Sequence, residues 1–219
     1  MISIPEAVEE IVRRSPSLAD GMSRGVLNLS ALARVIRPEV ERSAMKPVSD
    51  GAVIMALNRL ARRVSGRESE RDAIFQSAPD LMVRSNLMEI TFANSGNLTS
   101  LQMELMDRVG VRREPFLTVT RGIFETTIIA ARELEPVIDE VFRDERALAK
   151  IEGLTSLTVQ LPPGTARVPG VYGFLLQSLA WEGINVVEVV STLNELTIIL
   201  PDDGIDRAFS VIKALFRNP

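Results

Sequence analysis

The sequence predicts an α/β (α+β) chain in which a helical N-terminal region precedes two copies of one β-α-β-β-α unit. Three observations carry this. Apolar residues recur at helical spacing through the first third of the chain. From Leu81 onward, short alternating segments and amphipathic helical segments take turns. The order of those segments then returns after about 70 residues, a longer period than that of solenoid repeats.

The first helix has Pro5 in its opening turn, Ser3 as a cap, and Val8, Ile11 and Val12 as its apolar face; Ser15-Pro16 ends it. Residues 18–22 fit a short helical turn before Gly25. Ser30 can cap a helix through Leu32, Val35 and Ile36, with Pro38 as a kink or stop. Ser49 or Asp50 begins the clearest helix, in which Val53, Leu57, Leu60 and Val64 share a face and Asn58, Arg59, Arg62 and Arg63 lie off it. This defines a helical domain over residues 1–67. The polar stretch 65–80 carries only a short apolar island, and residues 68–80 are assigned to a linker.

Residues 81–92 read as a strand, with Met88, Ile90 and Phe92 alternating against Glu89 and Thr91. A turn at Asn94-Ser95-Gly96-Asn97 leads to a helix carrying Leu98, Leu101, Leu105 and Val109 and closed by Gly110. Residues 116–120 and 123–130 form a hairpin about Arg121-Gly122, and Leu134, Val137, Ile138 and Val141 mark a second helix. In the second copy the strand is 154–161, the loop 162–170, the helix 171–181, the next strands 184–190 and 196–200, and the last helix 205–216. Glu125-Thr126-Thr127-Ile128-Ile129 aligns with Glu195-Leu196-Thr197-Ile198-Ile199, and Leu134, Val137, Ile138 and Val141 with Ile205, Ala208, Phe209 and Ile212. The modules are thus residues 81–150 and 151–219. Such a split β-α-β unit buries one sheet face under two helices and leaves the other for a partner.

Composition sets limits. Apolar residues make up 46% of the 219, enough for sizeable cores, and charged residues 25%. The net charge of −4 gives the whole chain no attraction to nucleic acid or acidic membranes. The chain has no Cys and no His, which removes Cys/His zinc sites, thiol nucleophiles, Fe–S clusters and any Ser-His-Asp triad. No metal and no cofactor are expected. The first residues lack the apolar core of a signal peptide and no stretch reaches membrane-span length, so a cytoplasmic protein is expected. Asp202-Asp203 and Glu9-Glu10 are adjacent carboxylates with no pocket to serve. A solvated surface explains them better than acid–base catalysis, and no catalytic centre can be assembled.

The second copy resembles an ACT domain of the regulatory region of aspartokinases. The resemblance rests on Val168-Pro169-Gly170-Val171-Tyr172-Gly173, on Leu179-Ala180-Trp181-Glu182-Gly183-Ile184-Asn185-Val186, and on Val190-Ser191-Thr192 followed by Glu195-Leu196-Thr197-Ile198. The first copy keeps Gly96 and Gly110 but has Val111-Arg112-Arg113 in place of the Ile-Asn-Val; it is ACT-like through the repeat alone. The resemblance implies two ferredoxin-like βαββα(β) modules and an amino acid bound at the seam between modules, near Gly170, Val171 and Asn185. Physically, a glycine opening a helix lets a ligand approach free N–H groups that attract a carboxylate, and Asn offers both a donor and an acceptor. Ser191 and Thr192 at a strand exit are further candidates, as are Asn94 and Gly96 in the first copy's loop, which turn chemistry also explains. Arg112-Arg113 could meet an anion. Aspartokinases carry a kinase domain with a glycine-rich, lysine-containing start; nothing like it occurs here, so no enzyme is expected. A fourth strand is due after each second helix, and residues 81–86 are the candidate donor for the second copy.

The expected function is an amino-acid-binding regulatory protein, in the form of a homodimer or higher oligomer and with no membrane partner. Two alternatives stand beside it. One is a ligand-independent oligomerisation or interaction protein. The other is a DNA-binding regulator, because residues 1–67 hold eleven basic and seven acidic side chains. In a winged-helix-like arrangement Asn58, Arg59, Arg62 and Arg63 would face DNA.

Overall fold

The structure, a computed structural model, describes residues 2–23, 25–64, 73–76, 79–110 and 115–216. The chain divides into two compact units, Met1–Ala73 and Ile74–Pro219.

The first unit is built from α1 (Ile4–Arg13), α2 (Pro16–Ser23), α3 (Leu29–Ala44) and α4 (Asp50–Val64). Ser3 and Glu6 form a capping box on α1: the Ser3 N–H donates to Glu6 Oε2 at 2.8 Å, and the Glu6 N–H donates to Ser3 Oγ at 3.4 Å. The cap of α3 is Asn28 rather than Ser30, because the Asn28 side chain accepts from the Ala31 N–H at 3.0 Å while Ser30 already lies inside the helix. Pro38 does not stop α3. Ala33, Ile36, Val40 and Ala44, on both sides of it, are buried and hold the two halves on one core. Ser49 Oγ accepts from the Ala52 N–H at 3.3 Å and opens α4, whose Val53, Ala56, Leu57 and Leu60 complete that core. Among the described residues this unit has helices only, without the strands of a wing.

The second unit contains β1 (Asp80–Ala93), α5 (Leu98–Val109), β2 (Leu117–Arg121), β3 (Glu125–Ala131), α6 (Glu135–Val141), β4 (Ala147–Gln160), α7 (Val171–Trp181), β5 (Glu188–Ser191), β6 (Glu195–Pro201) and α8 (Ile205–Leu215). Its strands form one antiparallel sheet in the order β2-β3-β1-β4-β6-β5. The two central strands are 14 residues each, and each serves both copies. Residues 80–84 of β1 pair with residues 156–160 of β4, beside β6; residues 87–92 of β1 pair with the first half of β4, beside β3. The stretch proposed to lend the second copy its fourth strand therefore does so. The loan is reciprocal: the first half of β4, which lies before the strand expected over 154–161, is the fourth strand of the first copy.

The halves of each long strand meet at a left-handed residue, Asn86 (φ 61°) in β1 and Gly153 (φ 68°) in β4, where the register shifts. The added residue resets the alternation, so Leu81 reaches the second copy's core and Met88 the first copy's. Short 3-10 turns at Arg132–Leu134 and Asp202–Gly204 precede α6 and α8 at a spacing of 70 residues. That spacing moves the helix alignment by one residue from the sequence reading: Ile138 matches Ala208 and Phe142 matches Ile212, all four buried. The strand predicted over 184–190 begins only at Glu188.

Each copy has a core between its helices and the sheet. A third cluster, Leu87, Ile129, Leu154 and Ile199, lies on the sheet face turned away from the helices, with Phe116, Ala131, Val187 and Val190 against it. Ile129 and Ile199 are 0% exposed although β1 and β4 stand between their strands. A flat sheet would leave them open, so its two halves turn toward each other across this cluster. The centre of the face expected to remain for a partner is closed within the chain. No helix among the described residues is long and apolar enough to cross a membrane.

Candidate functional site

The loop between β4 and α7 is braced from within. Buried Thr165 donates its N–H (3.2 Å) and its hydroxyl (2.7 Å) to the Pro162 carbonyl. Gly170 then caps α7 in the left-handed region (φ 88°), a conformation a side chain would strain. It is exposed, and a Cβ built on it would meet nothing within 4 Å. Its carbonyl accepts the Phe174 N–H at 2.9 Å, and no side chain caps the helix. Val171 turns its side chain into the core, leaving only its backbone for a ligand. Ser191 and Thr192 lie at the same end of the module and are exposed: the Leu161 N–H reaches the Asn194 carbonyl at 2.7 Å, and the Thr192 N–H closes the adjacent turn on Glu195 at 2.9 Å.

Asn185 is not with them. It is exposed on the segment leading into β5, and the Val187 N–H bonds the Ile199 carbonyl at the opposite end of β6. The 11-residue α7 separates it from Gly170 by about 16 Å of helix. The structure thus brings Gly170, Val171, Ser191 and Thr192 to one end and places Asn185 at the other.

In the first copy Asn94 is occupied. Its Nδ2 donates to the Gly122 carbonyl at 2.9 Å, its Oδ1 accepts from Thr126 Oγ1 at 2.7 Å, and its N–H bonds Phe124 O at 2.9 Å. It ties the end of β1 to the β2–β3 turn. Gly96 is exposed with open space around it and no left-handed φ. Arg112 and Arg113 lie outside the described residues. Arg108, Gly110, Pro115 and Glu133 border a concavity of about 600 Å³. Arg108 is committed there to Glu104 (2.7 Å) and Glu140 (2.9 Å), whose hydrogen bonds hold its guanidinium above its ordinary pKa.

The residues considered for DNA contact are all exposed on α4, and two of them are engaged within the helical unit. Asn58 donates to the Ile54 carbonyl of its own helix at 2.9 Å, and Arg63 makes a two-pronged pair with Glu9 at 3.0 and 3.2 Å. Arg59 and Arg62 are exposed. The adjacent carboxylates are used structurally as well, Glu10 by Arg14 and Asp202 by the Thr155 hydroxyl. Among the described residues no cluster of three or more acidic side chains could hold a metal.

Two residues escaped sequence reasoning. Glu89, placed by alternation on the solvent side, is 8% exposed, and its Oε2 has no hydrogen-bond partner. Burial raises its carboxyl above the ordinary range, and Glu188 adds to the rise. Phe75, in the stretch assigned to the linker, is 2% exposed in the second copy's core, with ring centroids 5.1 Å from Phe174 and 5.0 Å from Phe216. The apolar pair Ile74-Phe75 was its only signal.

The fold is one shared with solved regulatory subunits of aspartate kinases. Among solved structures, the ligand-free regulatory subunit of aspartate kinase from Thermus thermophilus superposes with a TM-score of 0.52 at 11% identity, covering 64% of this chain and 99% of that one. The structure of aspartokinase alpha and beta subunits gives 0.51 at 14% identity over 64% of this chain and 99% of that one. Aspartate kinase from Synechocystis gives 0.53 at 12% identity, over 65% of this chain but only 27% of the kinase. At these identities the likeness is one of fold. No family profile and no curated protein matches the sequence.

Proposed function

We propose that the chain is an amino-acid-responsive regulatory protein, without kinase chemistry, that binds its ligand where the Gly170 end of one module meets the Asn185 end of another. The carrying observation is the separation of these residues. A single amino acid cannot touch both within one module. β5 is the outer strand of the sheet, with no partner on its far side among the described residues. Two copies joined edge to edge about a two-fold axis, β5 antiparallel to β5, would set each Gly170 beside the partner's Asn185, so a homodimer or larger assembly is part of the proposal. The ligand's carboxylate would face the uncapped first turn of α7, and Asn185 would hold its other polar group. The helical unit would report the change, limited by the ligand's difference in affinity between the two arrangements.

Calorimetric titration with the twenty amino acids is expected to give a binder at millimolar or lower concentration. Gly170→Asp is expected to abolish binding, because it sets a negative charge where the carboxylate should lie. Gly170→Ala, which costs about 1 kcal/mol of backbone strain, controls for the strain alone. A screen without a binder, combined with a tight dimer indifferent to Gly170→Asp, would instead identify a ligand-independent assembly module that uses the same free edge.

A further inference from the structure

Glu89 Oε2 is buried and has no hydrogen-bond partner. Glu89 lies midway along β1 on the face turned away from α5 and α6, with Ile129 and Ile151 opposite it on the neighbouring strands. Glu188 occupies the same face of the other half of the sheet, opposite Ile199. In strand order β4 and β6 separate the two carboxylates, but Ile129 and Ile199, their cross-strand neighbours, belong to one buried cluster, so the two glutamates flank the same seam. Lys150 pairs with Glu135 and Arg132 with Glu152, and Arg84, on this face, makes no ion pair with Glu89. The seam is therefore apolar at its centre, with the buried, unpartnered Glu89 Oε2 on one side and Glu188 of the other copy on the same sheet face.

We propose that Glu89 and Glu188 form a receptor for a primary ammonium group, carried by a small organic amine, at the seam between the two copies. A buried carboxylate without a partner is costly, and a cation donating hydrogen bonds to both groups would remove the penalty and their mutual repulsion together. An ammonium is compact and presents three donors. Ca²⁺ or Mg²⁺ would require more oxygen ligands than these two residues supply. Occupancy would tie β1 of the first copy to β5 of the second and thereby fix how the copies face each other. This site shares no residue with the Gly170 and Asn185 site and requires no ligand carboxylate, so it stands independently of the amino-acid reading.

The test is thermal melting of the full chain with methylammonium chloride or putrescine dihydrochloride, against potassium chloride at equal ionic strength. At ten times its dissociation constant the amine is expected to raise the melting temperature by about 4 °C, with no such rise in potassium chloride. Glu89→Gln, which removes the charge but keeps the shape, is expected to lose the response. Glu188→Gln is expected to weaken amine affinity at least tenfold, and Gly170→Asp to leave the response intact. No amine-specific rise in the wild type, or an equal rise in potassium chloride, overturns the proposal. So does an undiminished response in Glu89→Gln, or in Glu188→Gln should the first variant not fold.

Discussion

Glu89 shows how one side chain can set the pH response of a fold. Its carboxyl is raised first by burial and then by Glu188. In the unfolded chain the same group ionises in the ordinary carboxylate range, from about pH 4 upward. Over that range the unfolded state releases a proton that the folded state retains, so rising pH costs stability until the folded chain ionises as well. Glu6 and Glu135 are lowered by their partners and contribute with the opposite sign, but both are at the surface, where screening weakens such effects. The difference between wild type and Glu89→Gln isolates the buried group. In the absence of amine, the variant is expected to melt at the same temperature as wild type near pH 4 and about 2–4 °C higher at pH 7, as relief of roughly 1 kcal/mol implies. A variant that melts below wild type at pH 7 would show that the carboxylate has a stabilising partner after all. Strand alternation could not reveal this residue: it places Glu89 opposite Met88 and Ile90, and only the turning of the sheet onto itself converts that side into interior. The start of α7 after Gly170 was legible, because a glycine there opens a helix, and Gly170 and Asn185 were both candidates through the resemblance. Their separation was not legible, because it depends on which way α7 runs.

At the scale of elements, what was legible is what rests on local pattern. The Ser3 cap of α1, the apolar stripe of α4, the β2–β3 hairpin and the bounds of α7 follow from residues within a few positions of one another. The misread elements draw on distant partners. The first half of β4 is mostly exposed and pairs only with β1, more than fifty residues away. Phe75 belongs to a helical turn at residues 73–75 that has no periodicity of its own and is held by Phe174 and Phe216. It is the second copy's core, and not a linker, that this turn serves. Phe75→Ala is therefore expected to destabilise Ile74–Pro219 by about 3–5 kcal/mol, read as a lower urea midpoint of that unit's transition with the slope unchanged. Phe75→Leu is expected to recover most of the loss, because volume rather than ring stacking dominates. An Ala variant as stable as wild type would show the ring to be a surface contact.

At the scale of the whole molecule, the repeat does not consist of two separable modules. The long strands are offset by 67 residues and the hairpins by 70, while α7 begins 73 residues after α5, because the second copy spends a longer loop before its helix. Each copy places three strands of its own beside half of the other copy's central strand, and the apolar cluster of Leu87, Ile129, Leu154 and Ile199 closes the seam. Separating the copies would expose an edge on each and open that cluster to water. Residues 74–219 are therefore expected to unfold in one cooperative transition, with the calorimetric and van't Hoff enthalpies equal. A fragment of residues 81–146, which lacks the first half of β4, is expected to remain unfolded; extension to residue 160 supplies that strand but leaves its second half, from Leu154 onward, without β6. Circular dichroism and thermal melting of these three fragments decide the matter. A cooperative melt from residues 81–146 alone would mean that the borrowed strand is dispensable and that the copies are independent domains, in which case a ligand at one could not be felt by the other through the shared strands.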